Sequence, residues 1–175
     1  LCDRRQRQMC IRDRSYHKKD CVSNEEAEDI KRKPKFGTPG EWVQQGENPF
    51  WHCISFALAD KTRVTIPGLF VEISHLTGKK VKFEKNKATL FLREPGQPLR
   101  RVIQIDVKKP LPKGGERAED WPHEHFGQSR IPFTKELAQS LINLNVTVKY
   151  FLDRSNIQLD ESIDVDFKKL EYELK

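Results

Sequence analysis

The chain has 175 residues, of which 36% are hydrophobic and 33% charged, and a formal charge of +6. That length suits one domain with a buried core, and that polarity implies a charged tail beside it. No apolar stretch approaches the ~18 residues of a membrane span. No CxxC or even ladder of cysteines suggests a disulfide framework or a zinc knuckle, so a cytoplasmic location is expected.

The first fifteen residues, LCDRRQRQMCIRDRS, show neither apolar period nor turn logic. Met9 to Ser15 reads like translated sequencing-adapter DNA, so residues 1–15 are set aside as a non-native segment. Their five arginines and two aspartates supply +3 of the +6, and they hold two of the four cysteines. What remains is only modestly basic, which weakens any nucleic-acid reading built on net charge. Of the two remaining cysteines, Cys21 and Cys53, the second lies in an apolar run and reads as a small buried hydrophobe.

Residues 16–40 mix charges densely and read as a disordered tail and linker, with one short helix over 24–32. Pro34, Gly37, Pro39 and Gly40 punctuate its end, so a single α+β domain is expected over 41–175. Trp51 to Leu58 alternates, with His52, Ile54, Phe56 and Leu58 on one face. Asp60-Lys61 makes a turn, Thr62 to Ile66 runs extended, and Pro67-Gly68 makes a turn or bulge. Leu69, Val71, Ile73 and His75 then share a strand face, and Thr77-Gly78-Lys79 turns the chain. Ala88 to Leu92 and Arg101 to Val107 are further strands, the latter with Ile103, Ile105 and Val107 opposite Val102, Gln104 and Asp106. The short connections favour an antiparallel meander. A loop over 110–120 follows.

Beyond it, Thr134 is a natural N-cap, and Leu137, Leu141 and Leu144 predict a helix over 134–144. Asn145 can cap a second helix through Leu152. Val146, Val148, Tyr150 and Leu152 also alternate as a strand would, but helix is the preferred reading. A last element, read as a strand, spans 163–174. The expected fold is thus an antiparallel meander sheet with C-terminal helices packed on one face.

Asp120-Trp121-Pro122-His123-Glu124-His125-Phe126-Gly127 carries the most chemistry. Pro122 biases Trp121 toward extended geometry, and Gly127 permits close backbone approach. If the run is a strand, both imidazoles face one way and Glu124 faces the other. Such a pair suits acid/base chemistry, a phosphate clamp or two ligands of a metal. A third ligand would have to come from Asp120, Glu72, His75 or His52. The His-x-His of cupins is followed by a Glu and a later His, whereas Gln128 and Arg130 follow here. A purely structural role, hydrogen-bonded at the edge of the core, is the competing reading. His52 and His75 read as core or edge residues, unless strand ends bring all four histidines together. Arg100, Arg101 and Arg130 could add an anion site. Lys79, Lys80, Lys82, Lys85 and Lys87 form a basic hairpin without an aromatic platform, which is a modest nucleic-acid signal.

From Phe50 onward, three pieces appear in order: Arg100-Arg101 with Asp106, Pro122-His123-Glu124-His125, and Asn156-Ile157. In this order the chain resembles small bacterial and phage domains of unknown function with a Pro-His-x-His turn, akin to TumE-like toxins of toxin–antitoxin pairs. The resemblance covers about 110 residues. The second motif of some of those proteins, His-x-Asn-Pro, is missing, and Lys109 to Gly114 stands near its position. The resemblance implies an RNA or nucleotide substrate and an antitoxin-like protein partner. His123 and His125 would then be catalytic, Arg130 or Arg101 would hold charge, and no cofactor is implied. The alternatives are a non-catalytic interaction module with structural histidines and a metal-binding domain; whether the chain is an enzyme stays open.

Overall fold

The computed structural model describes residues 20–78, 83–109, 111 and 121–163. The adapter-like segment, Lys79, Lys80 and Lys82, Asp120, nearly all of the 110–120 loop and nearly all of the last predicted strand lie outside these residues. Among them, helix α1 (Asn24–Arg32) and strand β1 (Lys35–Gly37) come first, followed by β2 (Val43–Gln44) and β3 (Trp51–Ala59). Then come β4 (Thr65–Thr77), β5 (Glu84–Leu92), β6 (Arg100–Lys109), β7 (His123–Phe126) and β8 (Ser129–Pro132). Helices α2 (Lys135–Ser140) and α3 (Leu144–Ser155) and strand β9 (Ile157–Leu159) complete the order. The architecture is α+β.

The sheet runs β8-β7-β6-β5-β4-β3-β1-β9, with β2 beside β3. From β3 to β6 it is the expected antiparallel meander, and β7 and β8 continue it. The expectation of a wholly antiparallel sheet is corrected at one edge, where β9 pairs parallel to β1. A parallel neighbour needs a long crossover, and here nearly the whole domain supplies it.

A second correction concerns residues 20–40 of the 16–40 stretch expected as a disordered tail and linker. The helix over 24–32 is present, but Val22 and Ala27 are fully buried in the core and β1 lies inside the sheet. Ser23 caps α1 by accepting from the Glu26 amide, and Glu25 and Glu26 lie in the first turn, where the helix dipole favours anions. Arg100 grips Glu26 with two bonds of 3.0 Å and ties the helix to β6. Lys35 is wholly buried, and its Nζ donates to the carbonyls of Ile30 (2.7 Å) and Lys33 (2.5 Å) at the end of α1. Burial, then the charge of Lys33, lowers its pKa to about 8. A dense charge count hid this segment because its few apolar side chains are small and its one buried lysine is spent on helix carbonyls.

Of the turn or bulge expected at Pro67-Gly68, the bulge is found: both residues lie inside β4, where its register with β3 shifts between Ala57↔Phe70 and Ala59↔Thr65. Gly68 has φ +74, and a Cβ there would strike the backbone of Arg93, so only glycine fits. Both C-terminal helices are present with the break earlier than expected: the helix read over 134–144 ends at the C-cap Leu141, and Asn143, not Asn145, caps α3 by accepting from the Val146 amide. Leu141 and Leu144 are both buried, so their spacing was real while the helix between them broke. The preference for helix over strand across 146–152 is met by α3.

Alternation sorts the sheet into two faces. Ile54, Val71, Ile73, Ala88, Leu90, Ile103 and Ile105 form one, and they pack with Ala27, Ala138, Leu141, Val148 and Phe151 of the helices. The helix layer therefore includes α1 as well as the C-terminal pair. The other face carries the candidate site.

Candidate functional site

Strand β7 is where the Pro-His-x-His run was expected to be extended. It pairs with β6, with His123 opposite Asp106, Glu124 opposite Ile105 and His125 opposite Gln104. Since alternate residues share a face, the histidines join Gln104 and Asp106, and Glu124 points into the helix layer. Glu124 is buried there, and both its oxygens accept from Arg154 Nε on α3, at 2.8 and 3.1 Å. Burial raises its pKa against the pull of Arg154. Arg154 also lies over the Phe126 ring, 5.3 Å from its centroid. The strand bearing the histidines is thus bolted to α3 from behind.

The β7–β8 turn is a two-residue loop, Gly127-Gln128, with Gly127 at φ +52. A Cβ on Gly127 would meet Asn24 and the Ser23 carbonyl, so α1 packs directly on the turn. Asn24 Oδ1 accepts from the Gln128 amide at 2.9 Å. On the other side, Phe133 N donates to the Pro122 carbonyl and Trp121 Nε1 donates to the Phe133 carbonyl. The hairpin is fixed at both ends.

His123 and His125 meet edge to face, with ring centroids 4.5 Å apart and their Nε2 atoms 2.9 Å apart. His123 Nδ1 lies 2.7 Å from the Trp121 carbonyl and 3.1 Å from Arg130 Nη2. One ring nitrogen cannot donate to a carbonyl and accept from a guanidinium together. The shorter contact assigns the proton to Nδ1. His123 Nε2 is then an acceptor, and His125 Nε2–H donates to it. Arg130, exposed on β8 opposite His125, acts on the pair as a nearby charge.

The surroundings of His125 are cationic. Burial first, then the charges of Arg101, His123, Arg130 and Lys87, lower its pKa to about 3. Near neutral pH it is therefore an uncharged base set among cations. Asp106 supplies one carboxylate nearby, bridged by Lys85 at 3.2 Å. Glu72, on the same face of β4, has its pKa raised by burial and pulled back by Lys87.

The predicted site residues His123, His125 and Arg130 are thus brought together. The other two histidines are not. His52 and His75 face each other across β3 and β4 on the helix-covered face. His75 Nδ1 contacts Asn86 Oδ1 at 2.8 Å, and Asn86 Nδ2 donates to the Ile142 carbonyl. The four-histidine cluster does not form, and by that measure the 123/125 pair gains no further imidazole. Among the described residues, no three His, Cys, Asp or Glu side chains converge as metal ligands. Cys21 and Cys53 are both buried, and neither is in a disulfide.

Sequence reading missed Gln104. It is 2% exposed, directly opposite His125, and its Oε1 makes no hydrogen bond. The signal was present in Val102-Gln104-Asp106 alternating with isoleucines: polar residues on the second face of a central strand. It also missed an aromatic pair on this face, Phe70 and Phe91, stacked at 5.5 Å. No protein-family model, curated protein or solved structure matches the chain.

Proposed function

We propose that the polar face of the sheet binds a phosphate-bearing ligand, RNA or a nucleotide, and that His123 and His125 act on it as a coupled acid/base pair. One observation carries this reading: two hydrogen-bonded imidazoles, one held neutral, stand among Arg101, Arg130 and Lys87. Neutral imidazoles beside these cations suit a phosphate anion as ligand. A proton taken from a hydroxyl at His125 Nδ1 would be followed by transfer of its Nε2 proton to His123 Nε2. The positive charge would then rest on His123, whose Nδ1–H is already braced by the Trp121 carbonyl. A bound phosphate offsets Arg101, Arg130 and Lys87, and so lifts His125 toward the range of a useful base. The guanidiniums would hold the charge that develops on phosphorus-bound oxygens.

This reading agrees with the resemblance to toxin-like Pro-His-x-His proteins, and brings with it an antitoxin-like partner and a cytoplasmic setting. Among the described residues, no helix is long and apolar enough to cross a membrane. The test is RNA cleavage, or growth arrest on expression, compared among the parent, His123→Ala and His125→Ala. Loss in both variants is expected. Equal behaviour of all three would remove the idea. The hydrogen bond of His123 to the Trp121 carbonyl favours a second reading, a structural pair in an interaction module. That reading predicts that the same variants lose stability and nothing else.

A further inference from the structure

We infer that Asn24 is a positioning residue of the histidine site: from the first turn of α1 it fixes the β7–β8 turn, and through that turn the place of Arg130 beside His123. Its side chain spans the turn. Oδ1 accepts from the Gln128 amide at 2.9 Å and from the Ser129 amide at 3.3 Å, and Nδ2 donates to Ser129 Oγ at 2.8 Å. Arg130 is the next residue. It stands opposite His125, and its Nη2 lies 3.1 Å from His123 Nδ1. The turn is shaped for this contact. A two-residue hairpin loop already favours a residue of positive φ, which Gly127 supplies. Beyond that, a Cβ on Gly127 would lie 2.7 Å from Asn24 Oδ1 and 2.8 Å from the Ser23 carbonyl oxygen, so only glycine lets the loop come so close.

Arg130 needs such an anchor because of where it sits. Among the described residues, β8 is the last strand at its end of the sheet, only four residues long. Ser129 is half-buried and the other three residues are exposed. Burial therefore does little to fix this backbone, and the exposed arginine has many rotamers to lose. The ends of the strand are what hold it. After it, Phe133 is buried and donates its amide to the Pro122 carbonyl. Before it stands Asn24. Helix α1 is firm enough to serve, because its start is bonded to β6 as well. The Val22 amide donates to the Arg101 carbonyl at 3.1 Å, Arg100 grips Glu26, and Val22 and Ala27 are fully buried. The Gly127 amide in turn donates to the Val102 carbonyl at 2.8 Å. The start of α1 thus spans β7, from β6 on one side to β8 on the other. What this means for catalysis rests on the acid/base reading; the placement of Arg130 does not.

The experiment is nitrogen NMR of the full chain carrying isotope-labelled histidine, near neutral pH, alongside RNA cleavage. The proteins are the parent, Asn24→Ala, Asn24→Asp, Arg130→Gln and the Asn24→Ala/Arg130→Gln double variant, with His123→Ala to assign the His123 signal. Asn24 is exposed, so its truncation should leave the core intact. Arg130→Gln removes the guanidinium and should displace the His123 Nδ1 resonance. Asn24→Ala should displace it in the same direction, and should add nothing once the guanidinium is gone. Asn24→Asp keeps an acceptor for both amides and should stay with the parent. Cleavage should fall in Asn24→Ala by up to about 10²-fold, as a misplacement of about 1 Å can cost, and no further than in Arg130→Gln. An unmoved resonance in Asn24→Ala or in Arg130→Gln would overturn the inference. So would equal displacement in Asn24→Asp, or a further displacement by Asn24→Ala on the Arg130→Gln background, which would mean that α1 acts by another route. Failure of the acid/base reading looks different: the resonances follow the expected pattern while the parent cleaves nothing. Conversely, if the parent cleaves and Asn24→Ala matches it with an unmoved resonance, the chemistry stands and the anchor falls.

Discussion

One sheet holds two histidine pairs, and they have opposite fates. His52 and His75 face each other across neighbouring strands on the helix-covered side, where His75 meets an amide that is itself held by the Ile142 carbonyl. His123 and His125 sit two apart on one strand, bond to each other and face cations. In the first pair, His75 has a neutral amide partner supplied by the fold. In the second, His125 lies in the field of Arg101, Arg130 and Lys87. Histidine chemistry here is set by what the opposite strand and the packing layer provide, not by the residue or its spacing.

The largest expected effect separates the pairs by function. His125→Ala should lower RNA cleavage by 10²–10⁴-fold, as removal of a general base does, while His75→Ala should leave turnover per folded molecule unchanged. Parallel loss in both, measured on folded protein, would erase the distinction. Next is the bolt behind the histidine-bearing strand. Arg154→Leu leaves Glu124 buried without its guanidinium and should cost about 2–3 kcal/mol in urea unfolding, moderated because a raised carboxyl can take up a proton. Asn86→Ala strips the first pair of its amide and leaves the Ile142 carbonyl unmet, for about 1–2 kcal/mol. A change within error would show that this pair needs no support.

The smallest effect is a slope. His125 has a folded pKa near 3, below its unfolded value of 6.5, so in that window the unfolded chain binds a proton that the folded chain refuses. Its contribution is fully present above pH 6.5 and is lost as pH falls toward 3, by up to ~1.4 kcal/mol per pH unit. Glu72 and Glu124, whose pKa values are raised, work the other way at the acid end of the window. The comparison that isolates the histidine is therefore His125→Phe against parent between pH 5 and 7. The parent should lose stability faster on acidification, and identical slopes would contradict the burial of the ring among cations.

Much of this was readable in the residues. Alternation located β3, the later part of β4, β5 and β6, and placed Gln104 and Asp106 opposite the isoleucines. Pro122 announced an extended run and Gly127 a close backbone approach, and Glu124 was rightly turned away from the imidazoles. The misses share a cause, dependence on distant partners. Nothing local in Lys35-Phe36-Gly37 or Ile157-Gln158-Leu159 shows that they pair in parallel. Lysine-rich 31–35 looks solvated until the end of α1 turns its carbonyls toward Lys35. The stacking of Phe70 on Phe91 follows from register, which no single strand reveals.

The parallel pairing of β1 with β9 also sets an order of assembly. Asn156, in the left-handed conformation that ends α3, reaches back to the Arg32 carbonyl, and its own carbonyl accepts from the Lys35 amide. The end of α1 and one edge of β1 thus wait for a piece of chain more than a hundred residues downstream. Closing so long a loop is slow in folding even where it costs little at equilibrium. On a chain made from its N-terminus, the earliest elements to emerge are among the last to be secured. The His-bearing hairpin, pinned by Asn24 of that same helix, takes its final shape only when β1 and β9, far apart along the chain, have paired.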